Sequence, residues 1–205
     1  MTAPVIAADD PGAVERAAKS LLGGGLVVLP TETVYGLAAL ASDPDATRAL
    51  FERKGRGAAV PVAVLCADAE QALALTESVS PLARALAAAH WPGPLTMVLP
   101  RRAGLPWALG EPTHTIGLRC PDHDLVRALA ARVGPLATTS ANRHGQPTPA
   151  SATEAAEQLL GPIDLVLDGG ALTGVPSTVV DLTGERPRVL RQGAVDIDAS
   201  DAPDA

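Results

Sequence analysis

Residues 26–37 read Leu-Val-Val-Leu-Pro-Thr-Glu-Thr-Val-Tyr-Gly-Leu (LVVLPTETVYGL). The first five form a continuous apolar run, the pattern of a strand buried on both faces. Upstream, Val14, Ala17, Ala18, Leu21 and Leu22 recur at helical spacing over 10–22, and Gly23-Gly24-Gly25 stops that helix. Downstream, 44–53 reads as a helix and 61–66 (PVAVLC) as a second buried strand, followed by helical patterns at 68–76 and 81–90. Strands are expected at 95–99 (LTMVL) and 115–119 (TIGLR), a helix at 122–132, and a strand at 135–139 (PLATT). A helix over about 151–160 opens with Ser151 and, three residues on, Glu154, the pattern of a capping box. Further strands fit 164–168, 178–182 and 187–191, and the last dozen residues read as a frayed acidic tail. Helices and strands alternate first and strands dominate later, which predicts one α/β domain with a mixed sheet.

The 205 residues suffice for a single substantial core. Hydrophobic residues make up 47% and aromatics 2%, so that core is aliphatic. Few aromatic faces argues against a single-strand nucleic-acid binder, which stacks bases on such rings. The formal charge is −7, so a general basic footprint is missing. Residues 51–145 nevertheless hold ten Arg and Lys against seven Asp and Glu, whereas 1–50 hold three against six and 146–205 three against ten. A positive middle in an acidic chain suits a local anion site. Cys66 and Cys120 make no disulfide scaffold and have no zinc-ligand spacing. With no signal-peptide pattern and no apolar stretch of spanning length, no membrane association and a reduced cytoplasmic setting are expected.

Several blocks carry chemistry. Thr31 and Thr33 alternate, so their hydroxyls face one way from an extended chain and can bond a polar substrate; they are equally ordinary strand formers. Arg-Lys-Gly-Arg-Gly at 53–57 closes a predicted helix. The helix dipole alone favours cations there, by about 0.3–1 kcal/mol each. Alternatively, Lys54 and Arg56 meet phosphate oxygens, with glycines permitting close approach. Arg119, at a strand end, suits a carboxylate clamp or an ordinary surface arginine. Residues 138–149 (TTSANRHGQPTP) gather hydroxyls, an amide and a glycine, as phosphate- or ribose-binding loops do. Neither a Walker A loop nor G-x-G-x-x-G occurs, so a nucleotide needs another architecture. Ser140 lacks a G-x-S-x-G elbow and His144 is a lone loop histidine, so no nucleophilic triad is expected.

Taken in order, LPTETVYGL, RKGRG, WPGPLTMVL, TIGLRCPDH, PLATTSAN, LDGG, PSTVVDLT and RVLRQGAV resemble the YrdC-type threonylcarbamoyl-AMP synthase family across residues 18–195. The resemblance implies a twisted mixed sheet curled around a concave cavity with helices outside, spanning 1–195, and a disordered acidic tail at 196–205. It implies synthesis of threonylcarbamoyl-AMP from L-threonine, bicarbonate and ATP, with Mg²⁺ assisting, for modification of tRNA position 37. A downstream threonylcarbamoyl transferase complex would take the product, and tRNA contact would be weak at most. Lys54 and Arg56 would be catalytic through the phosphates. Thr115, Ser140, Asn142, Thr148 and Arg191 would join them around ATP, while Thr31, Arg119, Thr138 and Ser177 would hold threonine.

The chain departs from that pattern in places. Leu65 stands where many relatives carry a histidine near the threonine site, which puts amino-acid specificity in question more than ATP use. Gly57 replaces a frequent proline, Arg143-His144 a serine, Gln192 a proline, and Thr148 a serine whose hydroxyl it keeps. The sequence ends at 205 without the additional C-terminal domain of longer relatives, so closure would fall to loops of this domain. Two rivals are a carbamoyl-adenylate-forming enzyme of hydrogenase maturation, which usually sits in longer multidomain chains, and a non-catalytic RNA-binding module, which the acidic charge disfavours.

Overall fold

The computed structural model of the chain describes residues 3–55, 60–172 and 174–197. Its elements are β1 (Val5–Ala7), α1 (Ala13–Leu22), β2 (Val27–Leu29), β3 (Gly36–Leu40), α2 (Pro44–Lys54), β4 (Ala63–Leu65), α3 (Ala69–Leu73), α4 (Pro81–His90), β5 (Leu95–Pro100), β6 (Thr115–Arg119), α5 (Asp124–Val133), β7 (Leu136–Ser140), α6 (Ala152–Gln158), β8 (Leu165–Asp168), β9 (Thr178–Asp181) and β10 (Arg188–Arg191). The strands form one mixed sheet in the order β1-β8-β2-β3-β7-β4-β6-β5-β9-β10.

Side-chain alternation divides the core between the two faces. Val27, Leu29, Ala38, Leu65, Leu165 and Leu167 pack on one face against Ala17 and Leu21 of α1 and Leu129 and Ala130 of α5. Val28, Leu37, Ala39, Val64 and Val166 pack on the other against Leu50 of α2 and Ala155 of α6. Consecutive residues of each strand thus serve opposite layers, which is why these runs are apolar without a polar alternate.

Local chemistry fixes the helix ends nearest the cavity. Asp43 caps α2 by accepting the N–H groups of Asp45 and Ala46, both at 3.0 Å, with Pro44 in the first turn. Gly55 ends α2 in the left-handed region at φ 65°, directly after Lys54. Ser151 caps α6 through Glu154 N–H at 3.2 Å, and the Glu154 carboxylate reaches back to Ala150 N–H at 3.2 Å.

Three expectations need correction. Residues 31–33 are a turn, not an extended segment: Thr31 Oγ1 accepts the N–H groups of Thr33 and Val34 at 3.1 Å and donates to Val34 O at 2.7 Å. The alanine-rich Gly36–Leu40 is a central strand, paired with β2 and β7, where none was expected; β1 is a further unexpected strand. The start of the supposed frayed tail is packed. Thr178 Oγ1 accepts Val195 N–H at 3.0 Å and donates to its carbonyl, and Ile197 is buried. The packed chain therefore passes the expected 196 boundary, while 198–205 lie outside the described residues.

Candidate active site

A cavity of about 310 Å³ opens on the α1/α5 face of the sheet, toward β5, β9 and β10. Its floor is made by alternation. Thr115, Gly117 and Arg119 of β6, Ala63 and Leu65 of β4, Thr138 and Ser140 of β7, and Thr96 and Val98 of β5 all line it. These positions align across the sheet: Ala63 pairs with both Thr138 and Gly117, and Leu65 with Arg119. Glycine matters at Gly36, opposite Ser140, because a Cβ there would lie 2.8 Å from Thr138 Cγ2. Thr31 and Thr33 close one wall, and Ser177, Val179 and Arg191 close another.

Arg119 is buried. Its Nε donates to Gly93 O at 3.2 Å and its Nη2 to Thr33 Oγ1 at 3.0 Å, and Nη2 forms an ion pair with Glu32 Oε1 at 2.7 Å. Thr31 spends its proton on Val34 O, so in the 2.9 Å contact between the two hydroxyls Thr33 is the donor. The result is a directed chain from Arg119 through Thr33 to Thr31. Across the cavity, Arg191 donates from Nε and Nη2 to Ser177 O at 3.0 and 2.8 Å, and from Nη2 to Ser177 Oγ at 3.0 Å. Ser177 Oγ lies 3.0 Å from Thr96 Oγ1. Burial, then the nearby Arg119 charge, pulls the Arg191 guanidinium below its usual range. Among the described residues no carboxylate lines the cavity, whose two guanidiniums face it with Glu32 set behind Arg119.

Lys54 stands elsewhere than expected. It does not line the cavity; it is buried behind the loop that follows β7. Its ammonium donates to Ser140 O at 2.6 Å, Ser140 Oγ at 3.1 Å and Asn142 Oδ1 at 2.5 Å. Among the described residues, these acceptors tie the ammonium to the end of β7 and the loop after it. Asn142 is itself buried, and its amide donates to Gln146 O at 2.5 Å and Arg143 O at 3.2 Å. Lys54 and Asn142 thus brace the loop that presents Ser140, while Thr148 lines the cavity farther along. Arg56 lies outside the described residues.

Thr31, Thr115, Arg119, Thr138, Ser140, Thr148, Ser177 and Arg191 therefore share one cavity, with Lys54 and Asn142 just behind it. Glu32, Thr96 and Gly117 were not among the expected residues, and Thr33, read as a candidate hydroxyl, was not among those expected to hold threonine. Thr33 shares the spacing that marked Thr31, and Thr96 is the one polar residue inside LTMVL. Gly117 carried no sequence signal of its own. The thiols belong to the core: burial, followed by the Asp68 charge, pushes Cys120 up to about 12. Burial also raises Cys66 well above its usual range. Neither is a ready nucleophile. The Tyr35 hydroxyl donates to Gly170 O at 2.6 Å and accepts Gly169 N–H at 3.0 Å, so the LDGG block anchors the turn carrying Thr31.

The family model Sua5_yciO_yrdC, described as "Telomere recombination", matches residues 19–193. The chain belongs to the Sua5/YciO/YrdC family. A Mycobacterium tuberculosis relative is 42% identical over 191 residues, 91% of this chain and 88% of its own length. The threonylcarbamoyl-AMP synthase of Pyrococcus abyssi is 40% identical over 187 residues, but this Sua5/YciO/YrdC chain spans only 55% of its length. The crystal structure of P. abyssi Sua5 complexed with L-threonine superposes with a TM-score of 0.85 at 39% identity, covering 94% of this chain and 57% of that one. Escherichia coli YciO superposes with a TM-score of 0.85 at 28% identity, covering 97% of this chain and 99% of its own. The mixed sheet with outer helices is the architecture these relatives share.

Proposed function

We propose that this chain is an L-threonylcarbamoyladenylate synthase. The observation that carries the reading is a cavity of about 310 Å³ lined by hydroxyls and two guanidiniums without a carboxylate. The reaction brings anions together. The threonine amine takes carbon from bicarbonate, releasing water, and the new carbamate oxygen attacks the α-phosphorus of ATP as pyrophosphate leaves. Such chemistry needs neutralisation and alignment rather than a protein nucleophile.

In this reading Arg119 pairs with the amino-acid carboxylate, and Thr31, Thr138 and Ser177 supply polar contacts around it. Thr115, Ser140, Thr148 and Arg191 face the nucleotide. Lys54 and Asn142 act by holding the Ser140 loop, and the Lys54 charge adds to the local positive potential. Arg56 follows Gly55 in sequence and is assigned to the phosphates. Among the described residues no carboxylate lines the cavity and no group of three His, Cys, Asp or Glu gathers, so none of them forms a resident Mg²⁺ site. Mg²⁺ would come bound to the nucleotide phosphates, as part of the substrate.

The product would pass to a transferase acting on tRNA in the cytoplasm. Among the described residues, no helix is long and apolar enough to cross a membrane. Purified protein should release pyrophosphate from ATP only when L-threonine and bicarbonate are both supplied. Folded protein that releases none under those conditions refutes the reading, and release with serine equal to that with threonine refutes the threonine assignment.

A further inference from the structure

Glu32 lies in the block that carries Thr31 and Thr33, yet it does not line the cavity. Its Oε1 accepts Asp122 N–H at 3.0 Å and forms an ion pair with Arg119 Nη2 at 2.7 Å. The Arg119 side chain is 7% exposed and that of Glu32 20%, so water competes weakly for this pair. An arginine has five N–H donors in a rigid plane. Nε donates to Gly93 O, Nη2 donates to Thr33, and Glu32 pairs with Nη2 by charge. Nη1 is therefore the nitrogen left without a protein acceptor among the described residues, on a side chain that faces the cavity.

We propose that Glu32 is a positioning residue, which fixes the plane of the Arg119 guanidinium so that Nη1 meets the carboxylate of the amino-acid substrate. The inference rests on the synthase reading of the cavity. Of the three oxygens around Arg119, those of Gly93 and Thr33 are neutral, and Glu32 alone carries a full negative charge and forms an ion pair with the guanidinium. The Asp122 N–H in turn fixes the Glu32 carboxylate, so the anchor is itself anchored. Glu32 also balances one of the two guanidiniums whose like charges meet across the cavity. Arg119 thus lies between two carboxylates, a permanent one behind and a transient one in front. Holding it there before substrate arrives removes an ordering cost from binding.

The experiment compares L-threonine with L-threoninol, which carries a hydroxymethyl group in place of the carboxylate. Affinities are measured by calorimetry on the wild type, Glu32→Gln and Glu32→Ala. The wild type should prefer threonine. Glu32→Ala should lose tenfold or more in threonine affinity and little for threoninol, narrowing the preference. Glu32→Gln keeps an oxygen for Asp122 N–H and Arg119, and should lose less in the same direction. An unchanged preference in Glu32→Ala overturns the inference, as does an equal loss for both ligands, which is what general disruption produces. Should Glu32→Ala fail to fold, Glu32→Gln decides: a narrowed preference supports the role and an unchanged one overturns it. A wild type that binds neither ligand removes the amino-acid site itself, and the inference with it.

Discussion

Replacing Lys54 by methionine removes a buried ammonium while keeping an unbranched stem of similar volume. Among the described residues this ammonium donates to Ser140 O, Ser140 Oγ and Asn142 Oδ1. Each buried acceptor that loses its donor costs about 1–3 kcal/mol. Asn142 Oδ1 keeps the Ser140 hydroxyl at 2.7 Å, so its share falls at the low end. Burying the ammonium carries a desolvation penalty of its own, and its removal returns part of the loss. A net destabilisation of about 2 kcal/mol follows, and for a domain of this size that lowers Tm by about 4–8 °C. The variant should stay folded at 25 °C. Threonine-dependent pyrophosphate release should nevertheless fall more than tenfold, because the loop presenting Ser140 loses its brace. Thermal unfolding and the release assay are run on the same preparation. Lost turnover with an unchanged Tm would show that the ammonium serves only the phosphates, and a lowered Tm with full turnover would remove Lys54 from the active machinery. Either result refutes the reasoning.

Gly193→Ala should destabilise the fold by about 1–3 kcal/mol, the usual range for overpacking, and weaken ligand binding. A Cβ there would lie 2.1 Å from Pro176 O, beside the segment that carries Ser177, and thermal melts with calorimetric ligand titration check both effects. Asp181 gives a pH prediction. Burial raises its carboxyl, but bonds from the Thr183 hydroxyl and N–H and from Arg188 outweigh that and hold it below its usual value. Its stabilising contribution is thus complete above the unfolded carboxyl value of about 3.9 and is lost as pH falls through the lower folded value. Stability curves of the wild type and Asp181→Asn should therefore converge on acidification, and a constant gap between them would contradict the assignment.

The quoted block showed where a strand ends and a site begins, because an apolar run and a polar turn are both local signals. The strand at 36–40 was invisible for the opposite reason: glycine and alanine are poor strand formers, and pairing with β2 and β7 on both sides imposes the conformation. Arg119 and Lys54 show the same divide. Each sits at the end of an element where a cation is unremarkable. What distinguishes Lys54 is Asn142, 88 residues away, and what distinguishes Arg119 is Thr33, 86 residues away. Such pairs depend on how strands cross over to become neighbours, which no local window contains. Residue type was readable at Thr31, Thr138 and Ser177; whether each is a wall, a prop or an anchor was not.

The strand order also dictates when the pocket can exist. β9 lies beside β5, and Arg191, at the end of β10, bonds back to Ser177. The turn carrying Thr31 and Thr33 is itself anchored by Gly169 and Gly170 through Tyr35, so both walls of the pocket wait on the C-terminal strands. Pairing among β3, β7, β4 and β6 is complete by Ser140, whereas the pocket takes its final shape from the segments that follow.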